Sequence, residues 1–413
     1  MRFLKSASRM LCMAALGLAA TTAIAADKHE IYTLLPNSAL SGVIDPAMAD
    51  RSAIEKALPS TTRDPSKKLV IGWTEITLGN PWFVSVVDSA KAKANEFGYV
   101  LDVQVADGDP AKTSAQIDAF IAKKVDVIVM DPTDLAAAAA DAQRAVDAGI
   151  PVIALGTVPD DSPIVTTVLF NPYGNGFEAG RFVAQHYGAD TPITAAAILG
   201  TVGNSTSESR VNGMITGIIY ERSQQLGLKL TKEDAMLVGF KKFQELKTGG
   251  SFDYPEVKFN VTAMGVGLWT EEGGLNAAED ILTAHSSKLD LILAENDFMG
   301  MGALRALENQ GLKGKIAVAN AADGFRTALD LVKSGDMLVT GLCSGSHTGE
   351  GVVTLINQIF DKGFDANNLP LGSYYPSQIV TQKNADEFID PDTANPFFRY
   401  TVPPFKTISE LKG

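Results

Sequence analysis

From Lys67 onward the chain alternates short apolar runs with longer runs of helical period, and this rhythm constrains the fold more than any other feature. Strands read at KLVIGW, VLDVQVA, VDVIVM, IPVIAL and IVTTVLF, and helices at Trp82–Phe97, Ser114–Lys123 and Asp134–Ala148. Gly98 and Gly149 directly follow two of these helices, where a stop is expected. Near-continuous apolar strands are the mark of a parallel sheet covered on both faces, and strict strand–helix alternation predicts a doubly wound sheet. A second series follows: helix Asn175–His186, strand AAAIL, helix Ser207–Leu226, strand VKFNVTAM, helix Glu271–Ala284, strand LDLILA, helix Met299–Gln310, strand KIAVAN, helix Phe325–Lys333 and strand MLVTGL. The polar segment 231–254 between them reads as a surface insertion. A last helix, GEGVVTLINQIFDKG, precedes an aromatic tail. About ten strands exceed what one sheet usually carries, so the fold class is α/β with two doubly wound parallel-sheet lobes.

The first residues lie outside this pattern. Arg2, Lys5 and Arg9, the apolar run 10–20 and Ala23-Ile24-Ala25 predict a cleavable signal peptide over 1–25. A lipid anchor at Cys12 is disfavoured, because Arg9-Met10-Leu11 lack small residues. Residues 26–65 read as an irregular extension that lies on the surface or is partly mobile, with one helical patch at 51–58. Cleavage removes three basic and no acidic residues, taking the net charge from −13 to −16. Such acidity argues against nucleic acid or an anionic membrane as partner. Of the two cysteines only Cys343 remains after cleavage, so no internal disulfide can form and stability must come from the core, for which 46% apolar residues suffice.

Ligands of open parallel sheets sit beyond the carboxyl ends of strands. Those ends carry Asn80, Trp82 and Phe83; Asp131 and Asp134; Gly156 and Thr157; Glu295, Asn296 and Asp297; and Asn320 and Asp323. Asn and Asp there also serve as caps and turn formers. With Trp269 they suit a neutral polyhydroxylated ligand, whose C–H faces pack on rings while amides and carboxylates bond its hydroxyls. Arg210, early in a helix after the loop LGTVGNSTSES, is expected to face the cleft rather than solvent. That loop lacks the Lys-Ser/Thr of a phosphate-binding loop. GLCSG, around Cys343, has the strand–helix setting of a nucleophile elbow, but such an elbow needs a later histidine and only His347 follows. His29, His186, His285 and His347 show no metal-ligand spacing, so neither metal nor cofactor is expected.

ITLGNPWFVSVVDSAKAKANEFGY, VDVIVMDPTD, AGIPVIAL, SESRVNG and LTAHSSKLDLILAENDFMGMGALRAL together resemble the ribose-type periplasmic solute-binding proteins of ABC importers, over about residues 67–380. The resemblance implies two lobes joined by a three-crossover hinge that closes on a ligand in the cleft. The lobes are expected at 66–170 plus 344–375 and at 171–343 plus 376–413. It also implies a periplasmic monomer that binds a sugar or sugar alcohol, delivers it to the transmembrane subunits of a permease, and catalyses nothing. Asn80, Trp82, Phe83, Arg210, Trp269 and Asn296 match the family's ligand contacts. Departures from the ribose pattern are Gly156-Thr157 in place of Asp-Arg, Asn320 or Ala321 in place of an aspartate, and Cys343 in place of a glutamine. These point to a ligand other than ribose. Glu75 is a candidate compensating anion, with its facing ambiguous by one residue. Two other functions stay open: an exported hydrolase using Cys343, and a periplasmic ligand sensor serving a signalling receptor.

Overall fold

The computed structural model describes residues 52–412 except 133, 157–161, 393 and 402. The expected signal peptide, Cys12, most of the extension and Thr157 lie outside the described residues.

The first sheet has six strands, all parallel. In chain order they are β1 (Val70–Glu75), β2 (Val100–Val105), β3 (Val127–Met130), β4 (Val152–Leu155), β5 (Thr167–Phe170) and β12 (Gly372–Tyr375), and in space β12-β5-β4-β3-β1-β2. The second has five: β6 (Ile193–Leu199), β7 (Phe252–Tyr254), β8 (Phe259–Val266), β9 (Leu291–Ala294) and β10 (Ala317–Asn320), in the order β10-β9-β6-β8-β7. Only β7 runs antiparallel to its neighbour. A two-stranded antiparallel ribbon, β11 (Val339–Gly341) with β13 (Ile379–Thr381), stands apart. Strands β3 and β4 are buried along their whole length, which is why their sequences VIVM and VIAL show no alternation. The chain passes between the sheets three times: from β5 into the following helix, after β11, and between β12 and β13.

In each sheet the strand order reverses once. After β1 the chain builds β2 on one side and β3 on the other; after β6 it builds β8 on one side and β9 on the other. The crevices beyond the ends of β1/β3 and of β6/β9 are the places where such sheets bind ligands.

The helices are α1 (Ser52–Glu55), α2 (Pro81–Glu96), α3 (Pro110–Lys123), α4 (Leu135–Asp147), α5 (Pro172–Tyr187), α6 (Ser205–Gln225), α7 (Lys232–Gly249), α8 (Glu271–His285), α9 (Asp297–Asn309), α10 (Arg326–Ser334), α11 (Gly345–Lys362), α12 (Ala385–Phe388) and α13 (Ile408–Lys412). Among the described residues none is long and apolar enough to cross a membrane. Helices α5 and α6 approach backbone to backbone. A Cβ on Gly176 or Gly180 would fall 2.1–2.2 Å from a carbonyl of α6, and one on Gly213 or Gly217 2.0–2.3 Å from a carbonyl of α5. This packing fixes α6, the helix that carries Arg210.

One expectation is corrected. Segment 231–254 is not a surface insertion: α7 buries Ala235, Met236, Gly239, Phe243 and Leu246, and β7 closes the edge of the second sheet. These apolar positions recur at helical spacing, which the polar composition around them obscures. Residues 52–65, read as lying on the surface or partly mobile, pack on the first lobe. Ile54 and Ala57 are buried, and Arg63 forks onto Asp361 at 2.8 and 2.9 Å. The aromatic tail is shared between lobes: Phe397 packs on Phe325 (4.3 Å between centroids), whereas Phe398 and Tyr400 pack on Phe170 (5.7 and 5.1 Å).

Candidate ligand-binding cleft

The first lobe presents an aromatic wall and two acids. Asn80 caps α2, its side-chain oxygen accepting from the Trp82 amide (2.8 Å), and Pro81 fills the first helical position. This turn forces Trp82 and Phe83 to the helix mouth. The Trp82 indole donates to the Cys343 carbonyl (2.7 Å), pinning its ring edge-on to Phe83 at 5.2 Å. Glu75 ends β1 and Asp131 follows β3, so adjacent strands bring their carboxyls together. Glu75 turns inward, accepting from the Trp73 indole and from its neighbour's amide at Ile76, both at 3.1 Å. Burial, reinforced by Asp131, pushes the Glu75 carboxyl well above the usual range, and burial pushes Asp131 up to about 7. Two adjacent buried carboxyls cannot both ionise cheaply, so the pair retains a proton.

The second lobe presents a charge network around Glu295, at the end of β9. This carboxylate accepts from Arg210 (3.0 Å), the Trp269 indole (2.9 Å), Ser207 (2.7 Å) and the Gly200 amide. Gly200 is obligatory: a Cβ there would lie 2.1 Å from the Trp269 indole nitrogen. Arg210 also approaches Asp323 at 3.6 Å. Asn296 caps α9 through the Met299 amide (3.1 Å) and donates to Asp323 (3.3 Å). Burial, opposed by Arg210, raises Asp323 to about 8. Leu268 and Trp269 both hold left-handed backbone, φ +50 and +58, a conformation costly for bulky residues and a frequent mark of binding sites.

The two faces line a cleft with about 510 Å³ of space between atoms, open solvent at its mouth included. Hydrogen bonds cross it: Asn80 donates to the Trp269 carbonyl (2.8 Å), and Thr206 donates to the Gly156 carbonyl. Two buried polar atoms of cleft-lining residues have no partner, an acceptor at Asp131 Oδ2 and a donor at Arg210 Nε.

Of the residues picked from sequence, Asn80, Trp82, Phe83, Asp131, Arg210, Trp269 and Asn296 line this cleft. Asn320 and Cys343 do not. The Asn320 amide is spent on Asp297 (3.1 Å), which also accepts from the Gly324 and Phe325 amides and so holds the turn that aims Asp323. Asp323 is therefore the carboxylate after β10 that the sequence had suggested was replaced; the signal was the Asp-Gly turn one step further along. Cys343 lies behind the wall with its thiol pushed up to about 12, by burial first. His347 is occupied by Ser344 (2.7 Å) and the Tyr400 carbonyl (3.1 Å), so the elbow has neither an ionised thiol nor a free base. Asp134 is an N-cap at the exposed start of α4. The glycine loop after β6 spends its amides on its own helix: Gly200 and Thr201 donate to Ser207, and Gly203 to Glu208. Sequence reasoning also missed Ile76, Leu169, Asn204 and Thr206, which line the cleft from loops or between named motifs.

This arrangement, with two switch-point crevices facing each other across a hinge, agrees with what known proteins show. The family model of the periplasmic binding protein domain matches residues 71–363. The chain belongs to this family. Its relatives include the ribose import binding protein RbsB of Salmonella typhimurium, 28% identical over 64% of this chain and 75% of its own. The xylitol-binding protein of Mycolicibacterium smegmatis is 24% identical over 72% of this chain and 73% of its own. A solved ABC transporter periplasmic solute-binding protein from Actinobacillus succinogenes, with bound D-allose, superposes with a TM-score of 0.61. It is 25% identical, over 78% of this chain and 100% of its own.

Proposed function

We propose that this protein is the periplasmic, monomeric substrate-binding component of an ABC importer, exported by a cleaved signal peptide. It captures a sugar or sugar alcohol by hinge closure and delivers it to the transmembrane permease subunits without catalysis. The observation that carries the reading is the meeting of Trp82, Phe83 and Trp269 with hydrogen-bonding groups of both lobes around one cleft. Aromatic faces take the C–H surface of a polyhydroxylated ring or chain, and convergent amides, carboxylates and a guanidinium take its hydroxyls. Asn80, Trp82, Phe83 and Asp131 contribute from the first lobe, and Arg210, Trp269, Asn296 and Asp323 from the second. Thr157, which follows Gly156 in the sequence, is proposed with them. Closure requires that the ligand contact both lobes, because only differential contact shifts the open–closed equilibrium.

The test is thermal unfolding against pentoses, hexoses, polyols and amino acids. A ligand at a hundredfold excess over Kd stabilises the folded state by about 2.7 kcal/mol. The expected result is a raised midpoint with one sugar or polyol, lost in Arg210→Ala, and a smaller radius of gyration by X-ray scattering. A shift with amino acids only would remove the carbohydrate reading.

A further inference from the structure

The cleft is acidic in an uneven way. Glu75, Asp131, Glu295 and Asp323 lie in it or directly behind it, and Arg210 is the one cation among its lining residues. Arg210 sits on the second face, bonded to Glu295 at 3.0 Å and near Asp323 at 3.6 Å. It balances those two acids in part and leaves none of its charge for the first face. Among the described residues, what surrounds Glu75 and Asp131 carries no positive charge. The Trp73 indole and the Ile76 amide of β1 face Glu75, Thr74 is turned to Gln116 of α3, and Gly156 beyond β4 faces Asp131.

Gly156 has a specific consequence. A Cβ at that position would sit 3.4 Å from Asp131 Oδ1, so the absence of a side chain leaves the carboxyl uncovered on the cleft side. The other oxygen, Oδ2, is buried and unpartnered, in a residue 4% exposed. The ring of Trp82 and the half-buried ring of Phe83 stand on the same wall. A buried acid pair, a buried acceptor oxygen without a partner and aromatic faces form a receptor for a positive charge.

We propose that the ligand is a sugar or polyol bearing a primary ammonium group, received by Glu75 and Asp131. The inference rests on the sugar-or-polyol reading above and names the class within it. A neutral hydroxyl offers one donor and leaves the two acids to share their proton. An ammonium offers three donors and a full charge. It satisfies Asp131 Oδ2 and replaces the shared proton, which leaves to solvent as the ligand docks.

The experiment is isothermal titration calorimetry of the purified protein with matched pairs: glucose and glucosamine, galactose and galactosamine, myo-inositol and its monoamino derivative. Each is run at pH 6.0, where the amines are ammonium and the acid pair holds its proton, in two buffers of different ionisation enthalpy. The expected result is an amine binding at least tenfold tighter than its hydroxyl partner, with proton release to the buffer, and a preference erased in Asp131→Asn. The near-isosteric Glu75→Gln serves as a second variant should the first fail to fold. A neutral member binding as tightly as its amine overturns the inference and leaves the sugar reading standing. An amine preference that survives both substitutions overturns the assignment to this pair. No binding by either set removes the sugar reading and the inference together.

Discussion

The two lobes each end their switch point in buried carboxylates, yet they treat them differently. In the second lobe Glu295 accepts from Arg210, Trp269, Ser207 and Gly200, so its charge is compensated by contacts within that lobe. In the first lobe Glu75 and Asp131 face each other with no cation beside them among the described residues, and Asp131 keeps one oxygen unpartnered. The same topology thus yields one face whose acids share a guanidinium and one whose acids lack one among the described residues. A buried charge left without a partner is costly, so the first face holds its acids partly protonated until something else supplies the donors. The second face orients a ligand, and the first selects it by charge.

The sharpest way to break the comparison is to take the guanidinium from the second face. Arg210→Ala leaves Glu295 and Asp323 buried without their cation. Removing one partner of a buried pair costs about 3–5 kcal/mol. The expected outcome is that loss in chemical denaturation together with the disappearance of ligand binding. An unfolding curve that matches the parent would show that the second face does not depend on its guanidinium.

The first face predicts a pH effect of its own. Burial raises the folded-state pKa of Asp131 to about 7, above the roughly 3.9 of an unfolded aspartate. The folded protein therefore holds a proton that the unfolded chain gives up. Stability is greatest below the unfolded value and falls as pH climbs through the folded one. Asp131→Asn removes this slope. Between pH 5 and pH 8 the ligand-free parent is expected to lose stability relative to the variant, on the order of 1–2 kcal/mol, read as a difference in melting temperature. A flat difference would mean that the two acids are as well compensated as Glu295.

A smaller effect tests the contact between the faces. Asn80→Asp keeps the acceptor that caps α2 and removes the amide donated to the Trp269 carbonyl. The loss of one hydrogen bond, about 1 kcal/mol, falls on the closed form alone. Ligand affinity is expected to weaken three- to tenfold while the unfolding midpoint stays within a degree or two. Equal losses in both would place Asn80 in the stability of the first lobe rather than in closure.

How much of this was legible in the sequence follows the physics of each part. The strand–helix alternation wrote the two sheets plainly, because parallel strands must be apolar throughout and helices must carry a stripe. Asn80, Trp82 and Phe83 were legible because an Asn-Pro start leaves the next side chains little choice of direction. The role of α7 was not, since its few apolar positions are diluted by Lys and Glu. Nor was the difference between Asn320 and Asp323, which depends on the turn held by Asp297. The Glu75–Asp131 pair is the clearest case: the residues lie 56 positions apart, and only the pairing of β1 with β3 puts them in contact.

Cys343 gives the smallest effect and the cleanest decision. Its backbone carbonyl anchors the Trp82 indole, and a substitution of the side chain leaves that bond in place. The thiol itself lies behind the aromatic wall, 1% exposed, with burial holding it protonated. Cys343→Ala is therefore expected to cost about 1 kcal/mol of stability, the size of a small buried group, and to change ligand affinity less than threefold. A larger loss of affinity at unchanged stability would put the sulfur within reach of the ligand and move part of the selection to the seam where the chain crosses between lobes. Loss of a ligand-cleaving activity on the same substitution would return the hydrolase reading. The expected result leaves selection where the charges are unbalanced, at the end of β1 and β3.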